Sequence, residues 1–376
     1  MKKINLLVFG RFPTEKAYGI HAFNQAKSFS EIGYDVEIFY PSTSNAKTLN
    51  IEPSKFYGYL DNVKFTKINN KDLTGKTFFK YLPNIIKKIL WIISGYVWSK
   101  NKIPNIKNQI FWSTNPVILF PFRLSNKIIF EQHGRAKYLQ KLFIKLISNE
   151  NAYFVGTTQY SFKKLKKINP KSIYLPNGVD LEKFKITQNQ ERETITVGYA
   201  GMLETYDTDK GVLNSVRAML DLMDELNFKV KIIGGPEHKL AEIRNLVKDN
   251  LYENNFQILG WVDQDKLASE VQNFDIGIVP YPDNLHMNLY ASPLKIFEYL
   301  ATGLVCLVSD LESHKELEHL NLVYFKNEDF LDFKKQLQKL ISNKEYFEDI
   351  KEKVLNQRTK ISIEKRNKKL LDFMRL

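Results

Sequence analysis

Cysteine is nearly absent from these 376 residues: Cys306 stands alone, so no internal disulfide can staple the chain. No stretch of about 18 uncharged apolar residues, the length a spanning helix needs, occurs in it. Met1-Lys2-Lys3 runs straight into the strand-like segment 4–9, with neither a long apolar run nor a small-residue cleavage site. A reducing cytoplasm is therefore the expected home. The six histidines are scattered, and no Cys or His pairs stand at ligand spacing, so a structural zinc site has no support and no metal is expected. No G-x-G-x-x-G is present, which argues against a nicotinamide or flavin dehydrogenase. A 43% apolar and 26% charged composition excludes a disordered, collagen-like or low-complexity chain.

What is there is an alternation. A chain of this length exceeds the roughly 250 to 300 residues at which a single core stops growing, so two domains are expected. Short runs rich in Val, Ile and Phe recur between segments with apolar residues three and four apart, the strand and helix signature of parallel sheets. Strands are expected at 4–9, 35–40, 64–68, 109–112, 127–131, 152–156 and 172–175, then at 194–199, 229–233, 256–259, 275–279, 304–308 and 322–324. The polar segment 176–193, headed by Pro-Asn-Gly, reads as the linker, with the domains as 1–188 and 189–357. The fold class is α/β: two doubly wound parallel sheets, Rossmann-like, facing a cleft.

Charge is uneven along the chain. Residues 1–185 carry 30 Lys and Arg against 11 Asp and Glu, whereas residues 186–376 carry 25 against 31. A basic half of that kind draws polyanions or the anionic leaflet of a membrane. Two segments fit the second partner, 78–98 (FFKYLPNIIKKILWIISGYVW) and 135–146 (RAKYLQKLFIKL), each a basic amphipathic helix able to lie in a bilayer interface or to pack on the first sheet. A nucleic-acid motif is not found.

Doubly wound sheets bind ligands beyond the carboxyl ends of their strands. The first such loop runs from Gly10 to Gly19 and leads into a helix with His21; its glycines permit either a tight turn or close approach by a ligand. His133 follows the strand at 127–131, where it can donate a hydrogen bond to a polar substrate. In the second half, Gly198 and Gly201 precede Lys210 and Gly211, so that Lys210 stands near a helix start as a point charge for a diphosphate. Asp207-Thr208-Asp209 has the spacing of a divalent-metal motif, a tripeptide that arises easily in an acidic segment, as Asp263-Gln264-Asp265 shows. The strongest constellation is YASPLKIFEYLATG, from Tyr290 to Gly303. Here Ser292 is expected to cap a helix and Pro293 to take its first position, with backbone donors from Ser292 to Lys295 (Ser292, Pro293, Leu294, Lys295) facing an anion. Glu298, a turn and a half on, can accept the two hydroxyls of a ribose.

The strings SPLKIFEYLATG, PNGVDLEKF, Lys210-Gly211 and FEQHG around His133 together resemble retaining glycosyltransferase family four, of the GT-B fold (glycosyl transferases group 1). The resemblance spans nearly the whole chain and is most specific in its second half. It implies a nucleoside diphosphate sugar in the second domain, a UDP-sugar favoured over a GDP-sugar, an acceptor in the basic first domain, and a final helix, about 358–376, crossing back to the first. It implies ribose binding by Glu298, diphosphate binding by Lys210, contact of His133 with the transferred sugar, and a position near the diphosphate for the Gly19 loop. Tyr290 stands where the family has a first glutamate, and Met202 follows Gly201 where many members carry arginine. The implied activity is metal-independent transfer of a hexose or N-acetylhexosamine to a lipid-linked or surface glycan of capsule, O-antigen or exopolysaccharide type, at the inner face of a bacterial membrane. No cofactor is implied beyond the donor. The rival reading is a non-catalytic glycosyltransferase-like partner subunit, which those two departures would favour. An epimerase sharing the fold would need an acid and a base that the sequence does not offer.

Overall fold

The computed structural model of the chain describes residues 2–42, 51–60, 62–69, 81–186, 193–205 and 208–376. The chain divides into two compact units, Met1–Pro176 together with Ile363–Leu376, and Asn177–Ser362.

The first unit is built on seven parallel strands: β1 (Lys3–Leu7), β2 (Asp35–Pro41), β3 (Val63–Ile68), β4 (Ile110–Ser113), β5 (Lys127–Gln132), β6 (Ala152–Gly156) and β7 (Ser172–Tyr174), in the order β3-β2-β1-β4-β5-β6-β7. Both faces are covered, as the alternating side chains show. Ile4, Leu6, Ile110, Trp112 and Ile129 pack with Phe29 and with Leu370, Leu371 and Met374 of the terminal segment. Leu7, Phe111, Ile128, Phe130 and Phe154 pack the other way, with Trp98, Ile118 and Ile144. The order reverses between β1 and β4, which places the switch point at the loops following Leu7 and Ser113.

The second unit carries β8 (Thr196–Met202), a two-residue antiparallel hairpin of β9 (Glu204–Thr205) and β10 (Thr208–Asp209), then β11 (Lys229–Gly235), β12 (Phe256–Leu259), β13 (Ile276–Val279), β14 (Val305–Ser309) and β15 (Val323–Phe325). Six of these form a parallel sheet in the order β12-β11-β8-β13-β14-β15, so its switch point lies between β8 and β13. Those two strands pair only at Ile276 with Val197 and Gly277 with Gly198. Beyond that they part, and the hydroxyl of Tyr299 accepts the hydrogen bond of the Ala200 amide at 2.8 Å. Gly277 makes this possible, because a Cβ there would meet the Tyr299 ring at 2.3 Å.

All thirteen strands expected from apolar runs are present, with ends shifted by a residue or a few. The hairpin is new to the sequence reading: two residues a side are too short for any periodicity to announce. The observed division at Pro176 comes earlier than the break expected at 188. Val179 donates its amide to Ile361 at 3.0 Å, Arg358 binds the carbonyls of Leu181 and Phe184 at 2.8 and 3.2 Å, and Phe184 is buried in the second core, so this stretch folds with the second unit. Part of the expected linker, 187–192, lies outside the described residues.

Candidate active site

In the second unit the candidate side chains gather where β8 and β13 part. The hairpin sets the first of them. Leu203 donates its amide to Gly235 at 2.8 Å, and Lys210, just after the paired strands β9 and β10, donates its amide to Leu203 at 2.9 Å. Gly211 then starts the helix Val212–Met223 from a left-handed conformation, φ +79°, with the carbonyl of Pro280 2.1 Å from where a Cβ would stand. Lys210 is thereby buried, its ammonium 5.1 Å from the centre of the Tyr281 ring, and burial brings its pKa down to about 8.

The helix Leu294–Ala301 supplies the rest. Its cap differs from the expected one: Pro293 is the N-cap, without a side-chain cap bond, and Leu294 opens the helix. The Ser292 hydroxyl is engaged elsewhere, accepting from the Asn177 amide at 3.1 Å, while the Asn177 side chain donates to the Ser292 carbonyl. Pro293 has no N–H, so the unpaired backbone donors of the first turn are those of Leu294 and Lys295. Glu298 is partly buried at the site, and desolvation lifts its pKa to about 7 against the opposing influence of Lys295 and Lys183. A carboxylate poised near neutrality can accept hydroxyl protons as hydrogen bonds without a fixed counter-ion.

Sequence reasoning did not anticipate the Lys295 side chain. It turns inward, 7% exposed, with its ammonium 3.6 Å from the Tyr199 ring centre and 5.3 Å from that of Tyr281. Burial first, then Lys210, holds its pKa well below the ordinary lysine range, with Glu298 opposing. Gly201 (φ +131°) comes close: a Cβ there would stand 3.2 Å from the Lys295 nitrogen. A lysine inside an apolar helical string carries no signal of burial in sequence, and the tyrosines that receive it lie on other elements. Tyr290 is buried beside the short helix Leu285–Leu289, where burial and Lys210 lower the pKa of His286. Met202, at the end of β8, is exposed.

The acidic tripeptides have local uses. Asp209 accepts from the Gly211 amide at 2.7 Å and pairs with Lys239 at 3.5 Å, while Asp207 lies outside the described residues. Asp263 caps the helix Gln264–Val271 through the Lys266 amide, and Asp265 pairs with Lys183.

In the first unit, His133 belongs to a buried hub. The fully buried carboxylate of Glu131 has His133 Nε2 at 2.8 Å and His21 Nε2 at 3.0 Å on one oxygen, and accepts from Arg366 at 2.7 Å on that same oxygen and from Trp112 at 3.2 Å on the other. Burial alone would raise its pKa; Arg366, His21 and His133 together hold it well below the usual range. His21 is kept neutral, at about 4, by burial and by His133. These three side chains lie close enough to share an ion, but the Arg366 guanidinium already neutralises the carboxylate. His133 is thus oriented by Glu131 and remains partly exposed. Gly19 does not precede its helix but lies in the first turn of the helix Ala17–Glu31, where a Cβ would meet Thr14 and the Tyr57 hydroxyl at 2.5 Å. A cavity of about 330 Å³ opens at the β1/β4 switch point, lined among others by Phe9, Arg11, Trp91, Trp112 and Asn115.

Comparison with known proteins places this architecture. Residues 194–343 match the family model of glycosyl transferases group 1. No curated protein matches the chain by sequence. Among solved structures, the chain is similar to sucrose-phosphate synthase from Thermosynechococcus elongatus (TM-score 0.73, 13% identity, covering 100% of this chain and 98% of that one). It is also similar to Anabaena HepE in complex with UDP-glucose (0.67, 11%, 100% and 99%) and to WaaG, a glycosyltransferase involved in lipopolysaccharide biosynthesis (0.64, 11%, 98% and 98%). Residues 194–343 thus match glycosyl transferases group 1, and across its length the chain has the fold of the GT-B glycosyltransferases.

Proposed function

We propose that the chain is a retaining glycosyltransferase of family four, moving a hexose or N-acetylhexosamine from a nucleoside diphosphate sugar to a lipid-linked or surface glycan acceptor. The observation that carries this is the gathering of Lys210, the first turn at Leu294 and Lys295, and Glu298 around Tyr281 at the switch point of the second sheet. Glycosyl transfer builds positive charge on the sugar ring and negative charge on the departing diphosphate. Preorganised donors in a dry site stabilise that leaving group, a task Lys210 and the helix start perform without recourse to a metal. Glu298 takes the ribose hydroxyls. In the retaining course, the acceptor arrives on the face from which the diphosphate leaves, and a phosphate oxygen receives its proton. The UDP-glucose bound by HepE, which shares the fold, supports a uridine donor. Incubating the purified protein with a panel of nucleotide sugars should show hydrolysis or transfer with one of them, and Glu298→Ala should abolish most of it; full turnover in the variant would refute the site.

The acceptor side of the reading rests on the first unit. The helix Asn84–Lys102 turns Trp91, Gly95 and Trp98 inward and leaves Ile85, Ile89, Ile93 and Val97 exposed in one i, i+4 row beside Lys88. The helix Tyr138–Leu146 likewise exposes Tyr138, Leu142 and Leu146 among Lys137, Lys141 and Lys145. The part of the expected segment at 78–80 lies outside the described residues. No helix among the described residues is long and apolar enough to cross a membrane. Apolar stripes bordered by lysines suit an anionic lipid surface, with the aromatic cavity behind Trp91 as the acceptor's seat. Co-sedimentation with vesicles containing phosphatidylglycerol, and not with phosphatidylcholine alone, is the expected result.

A further inference from the structure

The Lys295 nitrogen is buried and has no hydrogen-bond partner among the described residues. A buried ammonium without a partner is strongly unfavourable, and here a second cation, Lys210, faces the same Tyr281 ring. The groups facing Lys295 are Tyr199 from β8, Tyr281 from the loop after β13, Lys210 from the loop before its helix, and Glu298 from its own helix; His286 faces Lys210, and Lys183 faces Glu298. Of these only Glu298 is a carboxylate, and desolvation keeps it near half-protonated at neutral pH. The pocket therefore holds two amines on one ring, one of them with no hydrogen-bond acceptor among the described residues. The close approach of Gly201, the first-turn amides at Leu294 and Lys295, and the opening between β8 and β13 mark where an acceptor would sit.

We propose that the ammonium of Lys295 is a donor-binding group in its own right: with Lys210 it forms a two-cation seat for the diphosphate, and binding of that anion draws protons onto the pair. The proposal rests on the donor reading above and adds a residue and a proton linkage to it. Free, the two lysines share a pocket in which burial lowers the pKa of each; a dianion between them acts in the opposite direction, so that protons are taken up on binding. Uptake is expected at pH 8.5, above the value of about 7 at which Glu298 titrates, so that its own response to ligand contributes little there.

The test is calorimetric titration with UDP, GDP, ADP, uridine and inorganic pyrophosphate at pH 8.5, in buffers of differing ionisation enthalpy, which count the protons. Wild type should take up protons with a diphosphate and none with uridine. In Lys295→Met, diphosphate affinity should fall roughly 10- to 100-fold, with smaller proton uptake and unchanged uridine binding. Lys295→Arg, which keeps the charge, should recover part of the affinity. Equal diphosphate affinity and equal uptake in Lys295→Met would overturn the proposal. So would failure of wild type to bind both nucleotides and pyrophosphate. Pyrophosphate binding that depends on Lys295, with no nucleotide bound, would keep the seat and discard the nucleotide-sugar reading. A melting curve of each variant guards against misfolding, and the wild-type proton count needs no variant at all.

Discussion

Each unit buries charge at the heart of its sheet, and the two clusters are opposites. In the first, one carboxylate, Glu131, is met by Arg366, Trp112, His21 and His133, so its lone pairs are filled from within the protein. In the second, two lysine amines share tyrosine faces, and that of Lys295 makes no hydrogen bond among the described residues. A saturated buried ion is a structural joint: it ties β5 to the terminal helix Ile363–Phe373 and sets the orientation of His133. An unsaturated one leaves donors free for a ligand, which is the role proposed for Lys295. Similar burial and similar residue types thus have different meanings, and hydrogen-bond satisfaction separates them.

The contrast is sharpest under mutation. Arg366→Met strands the Glu131 carboxylate and should lower stability by about 3–5 kcal/mol, measured by denaturant unfolding. Acid acts next. His21 and His314 each have a pKa of about 4 in the fold against 6.5 when unfolded, so the unfolded chain binds more protons in that window and stability falls as pH drops from 6.5 toward 4. Each histidine contributes about 3 kcal/mol across it. Glu298, raised from 4.5 to about 7, works the other way between those values, so Glu298→Gln should steepen the loss and His21→Gln should shallow it. In kinetics, Glu298→Ala should reduce kcat/KM about 100-fold, from lost hydrogen bonds to a charged acceptor. Lys295→Met should do what Arg366→Met does not: raise the melting temperature, by about 1 kcal/mol of stability, while impairing diphosphate binding. If both substitutions destabilise alike, the distinction between joint and seat fails. At the smallest scale, Ile89→Ser with Ile93→Ser on the exposed row should shift stability by no more than about 0.5 kcal/mol and yet weaken sedimentation with anionic vesicles.

Much of this was legible before any coordinates. Strands buried on both faces announce themselves as unbroken Val, Ile and Phe runs, so thirteen could be placed from local pattern. Lys210 and Glu298 could be singled out because each lies in a motif whose members are close in sequence. Ser292 was misread as a cap because its hydroxyl is engaged by Asn177, 115 residues away. Arg366 was missed as the partner of Glu131 for the same reason, at a separation of 235. Met202 stands where many members of the resembled family carry arginine; on the proposal above, Lys295 brings a basic side chain to the site from a different element.

Composition and periodicity by themselves determined the α/β class, the two parallel sheets, the basic first half and the helix with its lysine and glutamate, because each depends on neighbours within a few residues along the chain. Which charges are satisfied and which are left waiting was decided only in three dimensions. Whether a buried ion finds a partner depends on side chains that the fold brings from distant strands and helices, and desolvation, which shifts the pKa of Lys210 and Glu298 toward neutrality, exists only once those elements have packed.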